Sequence, residues 1–239
     1  MEVRSLYREP EPTEEAAHAA LELHDVFWIF RSGPVETVAL RGLELRVEER
    51  ELVALHGPSG SGKSTALHLA AALDEPSAGE VRAFGRSLSR LTESELAAYR
   101  ACRVAIVFQS GNLWGELSAS ENIELGLRLA GRRGRLGLLI DRALAGFDLS
   151  LRADQRAATL SGGEQQRVAI AAAAARAAPL VLADEPTAEL DSVNEQRVLR
   201  ALTRLRDEFG TTVVIVTHSP RVAEAADRVV EIRDGAAVP

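Results

Sequence analysis

A chain of 239 residues with 46% hydrophobic side chains can bury a full core and sits near the upper end of what one domain holds, which leaves room for an insertion. Its 35 acidic against 28 basic residues give a formal net charge of -7, which argues against a protein that coats nucleic acid or an anionic lipid surface. The single cysteine, Cys102, excludes an intramolecular disulfide and fits a reducing compartment.

Residues 1–20 carry Glu2, Glu9, Glu11, Glu14 and Glu15 with Pro10 and Pro12 and no apolar stretch, so a flexible leader is predicted there, not a signal peptide or anchor. From Leu21 the pattern becomes globular. Leu23, Val26, Phe27, Trp28, Ile29 and Phe30 read as one strand and the alternating Leu43, Leu45 and Val47 as another. Residues 51–56 read as a buried strand that ends at the glycine-rich turn 57–62, with a helix following through Leu73. Short strands over 80–84 and 103–108 frame a polar helix around 91–99. Helical apolar spacing from Ser118 to about Thr159, broken by Gly131-Arg132-Arg133-Gly134-Arg135, marks a helical insertion with an elbow, placed at approximately residues 110–165 of a domain spanning 21–239. Strands over 180–183, 212–216 and 228–232 then alternate with helices over 193–209 and 220–226, the pattern of a parallel sheet wrapped by helices. Nowhere do ~18 apolar residues run together as a membrane span requires. The alanine run 171–175 is cut by Arg176. Any role at a membrane would need a partner that supplies the spans.

One position stands out chemically. Lys63 is the only lysine of the chain, every other basic side chain being arginine, and it lies in Gly57-Pro58-Ser59-Gly60-Ser61-Gly62-Lys63-Ser64, followed by Thr65. This spacing fits the phosphate-binding loop G-x-x-x-x-G-K-[ST] between an apolar strand and a helix. The glycines let successive N–H groups turn inward toward phosphate oxygens, and the helix adds its positive end. Lys63 would reach the β- and γ-phosphates, and the Ser64 hydroxyl would ligate Mg²⁺. The apolar run 180–183 delivers Asp184 and Glu185 at a strand end, where ligands bind in such sheets. Asp184 would hold the metal and Glu185 would polarise the attacking water.

Leu160-Ser161-Gly162-Gly163-Glu164-Gln165-Gln166-Arg167 narrows the reading further. A serine and two glycines opening an alanine-rich helix form an anion site of N–H groups and a hydroxyl. The segment resembles the signature of ATP-binding cassette ATPases, about 20 residues before the Asp184-Glu185 pair. The resemblance runs from roughly Leu21 to the C-terminus. It implies an α/β fold with a P-loop NTPase (RecA-like) core and mainly parallel sheet, an N-terminal antiparallel β subdomain and an inserted α-helical subdomain. It also implies ATP and Mg²⁺, and a head-to-tail dimer of identical or different chains. In that dimer Ser161, Gly162, Gly163 and Gln165 of one subunit face the nucleotide held by the phosphate loop of the other.

Other positions match the resemblance one by one. Gln109 resembles the glutamine-loop residue that contacts Mg²⁺ or the attacking water, and His218 the switch histidine that touches the γ-phosphate and orients the catalytic glutamate. Ala188-Glu189-Leu190-Asp191 occupies the segment that crosses the dimer interface, commonly Ser-Ala-Leu-Asp, with Asp191 expected at the nucleotide and the acidic Glu189 departing from the pattern. An aromatic platform for adenine is expected from Phe27, Trp28 or Phe30, with Phe30 favoured by its place ahead of a short loop. Histidines 18, 24, 56 and 68 show no metal-ligand spacing.

Within the family the layout is most similar to the MacB, lipoprotein-release and FtsE group. The implied function is the ATP-hydrolysing subunit of a transporter, acting on an integral-membrane permease for export or mechanotransmission. It would sit in the cytoplasm on the inner face of the cell membrane, without a nucleic-acid partner. The alternative is an FtsE-like ATPase that controls cell-wall hydrolases through a membrane partner and transports nothing. DNA-repair and translation members are disfavoured, since they carry long insertions or two cassettes.

Overall fold

The computed structural model of the chain describes residues 19–32 and 35–238, so most of the leader expected over 1–20 lies outside the described residues. Ala19 and Ala20, assigned to that leader by sequence, are instead buried, and the Ala20 carbonyl accepts from the Phe84 amide.

Two sheets organise the fold. Strands β1 (Leu21–Ser32), β2 (Val35–Val47), β4 (Ala78–Ala83) and β5 (Arg86–Ser87) form an antiparallel sheet in the order β2-β1-β4-β5. A second sheet runs β10-β9-β3-β8-β7-β6, built from β3 (Leu52–His56), β6 (Val104–Val107), β7 (Leu180–Asp184), β8 (Thr212–Thr217), β9 (Arg228–Arg233) and β10 (Ala236–Val238). All its pairings are parallel except that of β10 with β9. This is the α/β class expected from the alternating pattern. The short strands β5 and β10 are absent from the sequence prediction.

The central strands are buried on both faces, and the two-residue period divides their side chains. Val53, Leu55, Leu180, Leu182, Val214 and Val216 join a core shared with the antiparallel sheet and with helices α1 (Lys63–Ala70) and α2 (Glu93–Cys102). Leu52, Val181, Ala183, Val213 and Ile215 face the opposite core. There they meet α3 (Ala119–Leu129), α4 (Gly137–Gly146), α5 (Gly162–Arg176) and α6 (Ser192–Phe209), and a short helix α7 (Pro220–Glu224) follows β8. In α6 the buried residues Val198, Ala201, Leu202 and Leu205 recur at the spacing of one helix face. Burying each such leucine contributes about 1.5–3 kcal/mol.

Three helices start on the same device. Thr92 with Glu95, Ser118 with Glu121 and Ser161 with Glu164 each form a reciprocal capping box at the N-termini of α2, α3 and α5. The third of these is the signature segment.

Candidate nucleotide site

The phosphate loop is the connection from β3 to α1. Gly62, which precedes α1, has φ of +99°, and a Cβ there would stand 2.5 Å from the Ala39 carbonyl oxygen, so conformation and space both demand glycine. The loop closes on the lone lysine. Lys63 Nζ donates to the carbonyl oxygens of Gly57 at 2.9 Å and Pro58 at 2.7 Å, and lies 3.4 Å from Ser61 Oγ. Lys63 is 5% exposed. Burial pushes the pKa of its ammonium down, against the fields of Glu185 and Asp184, which push it up. Its direct partners are neutral oxygens, so an anion entering the loop would supply the counter-charge that a buried cation needs.

The remaining groups arrive from the carboxyl ends of neighbouring parallel strands, where a parallel sheet collects its ligand-binding residues. Asp184 ends β7, Gln109 lies just beyond β6, and His218 follows β8. Ser64 Oγ donates to Asp184 Oδ1 at 2.9 Å, which places two hard oxygens side by side. Glu185 holds a left-handed backbone, φ +45°, with its amide bonded to the Val216 carbonyl at 2.9 Å. Such a conformation in a non-glycine residue costs on the order of 1 kcal/mol and persists because the adjoining strand fixes it. Glu185 Oε1 lies 2.9 Å from His218 Nδ1, and since an ionised carboxylate only accepts, Nδ1 carries the proton of that bond.

These residues line one cavity of about 710 Å³, the size of a small-molecule site. Its wall consists of Ala39, the loop and helix start from Ser59 to Thr65, Gln109, Asp184, Glu185, Ala188 and His218. The sequence-predicted residues of the phosphate loop, the metal pair and the strand ends are thereby brought together, with Gly57 and Pro58 behind the wall as acceptors for Lys63.

The other predicted residues lie elsewhere. Ser161, Gly162, Gly163 and Gln165 do not line this cavity. Ser161 and Gly162 are exposed at the start of α5, where Ser161 Oγ donates to Glu164 Oε2 at 2.9 Å and accepts from the Glu164 amide at 3.4 Å. Gln165 Nε2 donates to the Leu160 carbonyl at 3.0 Å. Gly163 is buried, and a Cβ there would meet Asn194 Cβ at 2.8 Å, so α5 and α6 approach too closely for any side chain. Asp191 caps α6, accepting from the amides of Val193 and Asn194. Those amide bonds, that of Asn194 foremost, hold its carboxyl below the usual range. Phe30 is half-exposed and stacks on Trp28 with ring centroids 5.9 Å apart. Among the described residues no His, Cys, Asp or Glu cluster has the makings of a separate metal site.

Three polar residues make contacts that the sequence did not foretell. Gln166 is buried, and its Nε2 donates to the carbonyls of Phe108 at 2.9 Å and Gln109 at 2.6 Å. Asn112 Oδ1 accepts from the Phe108 amide at 2.7 Å, while its Nδ2 reaches Gln166 Oε1 at 3.2 Å. The signature helix is thus tied by side chains to the loop that carries Gln109. Arg152 Nε donates to Glu164 Oε1 at 2.7 Å and supports the signature cap from outside. The motif Leu160 to Arg167 contained Gln166, but its partners Phe108, Gln109 and Asn112 lie more than 50 positions away.

Comparison with known proteins gives the family. The family model described as ABC transporter matches residues 40–188. A macrolide export ATP-binding/permease protein of Syntrophobacter fumaroxidans is 42% identical over 226 residues, covering 92% of this chain and 31% of that protein. The chain thus spans about a third of such relatives. An uncharacterized ABC transporter ATP-binding protein of Thermotoga maritima is 42% identical over 220 residues, 90% of this chain and 92% of its own length. Among solved structures, a dimeric ATP-binding cassette in a post-hydrolysis state bound to ADP and Pi matches with a TM-score of 0.84 and 37% identity, over 92% of this chain and 97% of that one. Fold, cavity and signature thereby converge on one assignment: the chain belongs to the ABC transporter family of ATP-binding cassette ATPases.

Proposed function

We propose that this chain is the ATP-binding and hydrolysing subunit of a MacB- or lipoprotein-release-like ABC transporter complex, working on a membrane permease for export or mechanotransmission. The observation that carries the reading is the division of the predicted residues. The phosphate loop, Asp184, Glu185, Gln109 and His218 share one cavity, and the signature residues do not reach it. A second cassette that presents its own Ser161, Gly162, Gly163 and Gln165 to this cavity completes the site, and the pairing is head-to-tail with two equivalent sites. The solved dimeric relatives and the permease half named in the macrolide-export relatives support this arrangement. Among the described residues no helix is long and apolar enough to cross a membrane; the proposed place of the chain is peripheral, on the inner face of the cell membrane beside its permease.

Within the cavity Lys63 and the loop amides bind the β- and γ-phosphates, with Thr65 beside them. Ser64 Oγ and Asp184 Oδ1 are hard oxygens at a spacing that suits a divalent cation, so they and Gln109 would hold Mg²⁺. When bound, the cation neutralises phosphate charge. Glu185 accepts the proton of the attacking water, a role worth about 10²–10⁴-fold in rate. His218 holds Glu185 through Nδ1. Phe30 offers the exposed ring on which adenine stacks, and Asp191 meets the nucleotide edge across the dimer. Residues 21–239 act as one ATPase domain, with the helical part at approximately 110–165 facing the permease.

The relatives favour export over the cell-wall alternative. The test is Glu185→Gln. It retains ATP binding, loses most hydrolysis and accumulates an ATP-dependent dimer, read by nucleotide titration, phosphate release and light scattering. A Glu185→Gln chain that hydrolyses ATP at the wild-type rate contradicts the assignment.

A further inference from the structure

Glu189 stands where the sequence departs from the family pattern, and the structure gives it a partner. Gln109 Nε2 donates to Glu189 Oε1 at 2.9 Å, although the two lie 80 positions apart in the chain. A carboxylate has acceptors and no donor, so it accepts only the NH₂ end of the carboxamide. The bond therefore settles an orientation that is otherwise free, since the two ends of a glutamine amide are nearly isosteric. The nitrogen is turned to Glu189 and Oε1 is left to the remaining side. The backbone next to this carboxamide is tied as well. The carbonyl of Gln109 accepts from Gln166 Nε2 at 2.6 Å, and Asn112 brackets the amide and carbonyl of Phe108 at 2.7 Å each. Gln109 itself lines the same cavity as Ser64, Asp184 and Glu185.

We propose that Glu189 is a positioning residue that orients the Gln109 carboxamide so that its oxygen, not its nitrogen, is presented to the metal side of the phosphate cavity. The inference rests on the reading of Gln109 as a ligand of the metal or its water. An N–H turned toward a divalent cation repels it, whereas a carbonyl oxygen is the ligand such a cation takes. Groups that orient a metal ligand commonly govern affinity in this way.

The test uses Mn²⁺ as the probe, titrated by electron paramagnetic resonance into the Glu185→Gln chain with ATP bound, so that no turnover is needed. Glu189→Ala weakens Mn²⁺ binding by about 3- to 10-fold, the net value of one ordinary hydrogen bond. Glu189→Gln, which can accept in the same way, recovers part of it. Gln109→Ala weakens Mn²⁺ binding at least as far, and adding Glu189→Ala to it changes nothing more, because the second residue acts through the first. Metal-free ATP binding in Glu189→Ala and Glu189→Gln stays at the level of the Glu185→Gln parent. Unchanged Mn²⁺ affinity in Glu189→Ala, beside a loss in Gln109→Ala, overturns the positioning role alone. A Gln109→Ala chain with full Mn²⁺ affinity overturns the underlying reading and the inference with it. An equal loss of metal-free ATP binding in Glu189→Ala makes the residue structural and also overturns the proposal.

Discussion

The phosphate cavity and the signature surface are both built from a turn entering a helix, yet they differ in what they bring to an anion. The cavity gathers chemistry from the carboxyl ends of adjacent strands, and its one cation, Lys63, is buried on its own loop's carbonyls. The signature has the N-terminus of α5, an exposed Ser161 and Gly162, and a hydroxyl already engaged in its own cap. It carries no carboxylate or histidine placed for catalysis. In the function proposed above, one surface supplies the reacting groups and the other a set of N–H groups and a hydroxyl for phosphate. On the proposed reading each surface lacks what the other has, which is what a shared site in a pair of chains requires.

The largest expected effect attacks the cavity side of this comparison. Lys63→Ala removes the only charge the loop offers to phosphate, and its loss should weaken ATP binding by about 10- to 100-fold, the value of one or two charge-assisted hydrogen bonds. Isothermal titration with ATP measures it, and unchanged affinity breaks the assignment. A smaller effect attacks the signature side. Gly163→Ala would set a methyl 2.8 Å from Asn194 Cβ, and Asn194 itself bonds Asp191 at 2.7 Å, so α5 must shift or α6 must lose part of its cap. The cost is about 1–3 kcal/mol, seen as a fall in melting temperature of roughly 2–4 °C per kcal/mol.

The smallest effect concerns pH. Burial pushes the Glu164 carboxyl up, but the hydrogen bond from Arg152 and those from the Ser161 amide and hydroxyl outweigh it, and the pKa falls to about 2. A depressed acid stabilises the folded state above its unfolded value of 4.5, and that contribution fades as the pH drops from there through about 2. Glu164→Gln should therefore cost roughly 0.3–1 kcal/mol at neutral pH, with the gap from wild type closing toward pH 2. Chemical denaturation at several pH values checks this, and a gap that does not close removes the carboxylate from the cap.

How far the sequence carried differs along the same division. The phosphate loop, the strand ending in Asp184-Glu185 and the signature were legible because each is a local pattern whose spacing its own backbone geometry requires. The two-sided burial of β3, β7 and β8 was legible as apolar runs. The end of α1 was not. The apolar pattern continues to Leu73, but Ala72 turns left-handed at φ +54° and the Leu73 amide bonds back to the His68 carbonyl, a helix stop made without the usual glycine. Strands β5 and β10 are too short to show a period. The grips of Gln166 and Glu189 on the glutamine loop span 57 and 80 positions, and a polar partner at that separation has no signal in one sequence.

The central claim, that each ATP site is shared between two chains, has a direct test in mixed dimers. Lys63→Ala spoils the phosphate loop and keeps the signature. Gly162→Asp places a negative charge at the first turn of α5, where an acid suits the helix but repels phosphate, and where the nearest atom to a new Cβ is the flexible Leu190 Cδ2 at 3.3 Å. Each variant alone should be inactive. Mixed in equal amounts, they form hybrid dimers in which one site joins an intact phosphate loop to an intact signature, and ATPase activity should return to about a quarter of wild type by random pairing. Mixtures that stay as inactive as either variant alone would contradict the shared site.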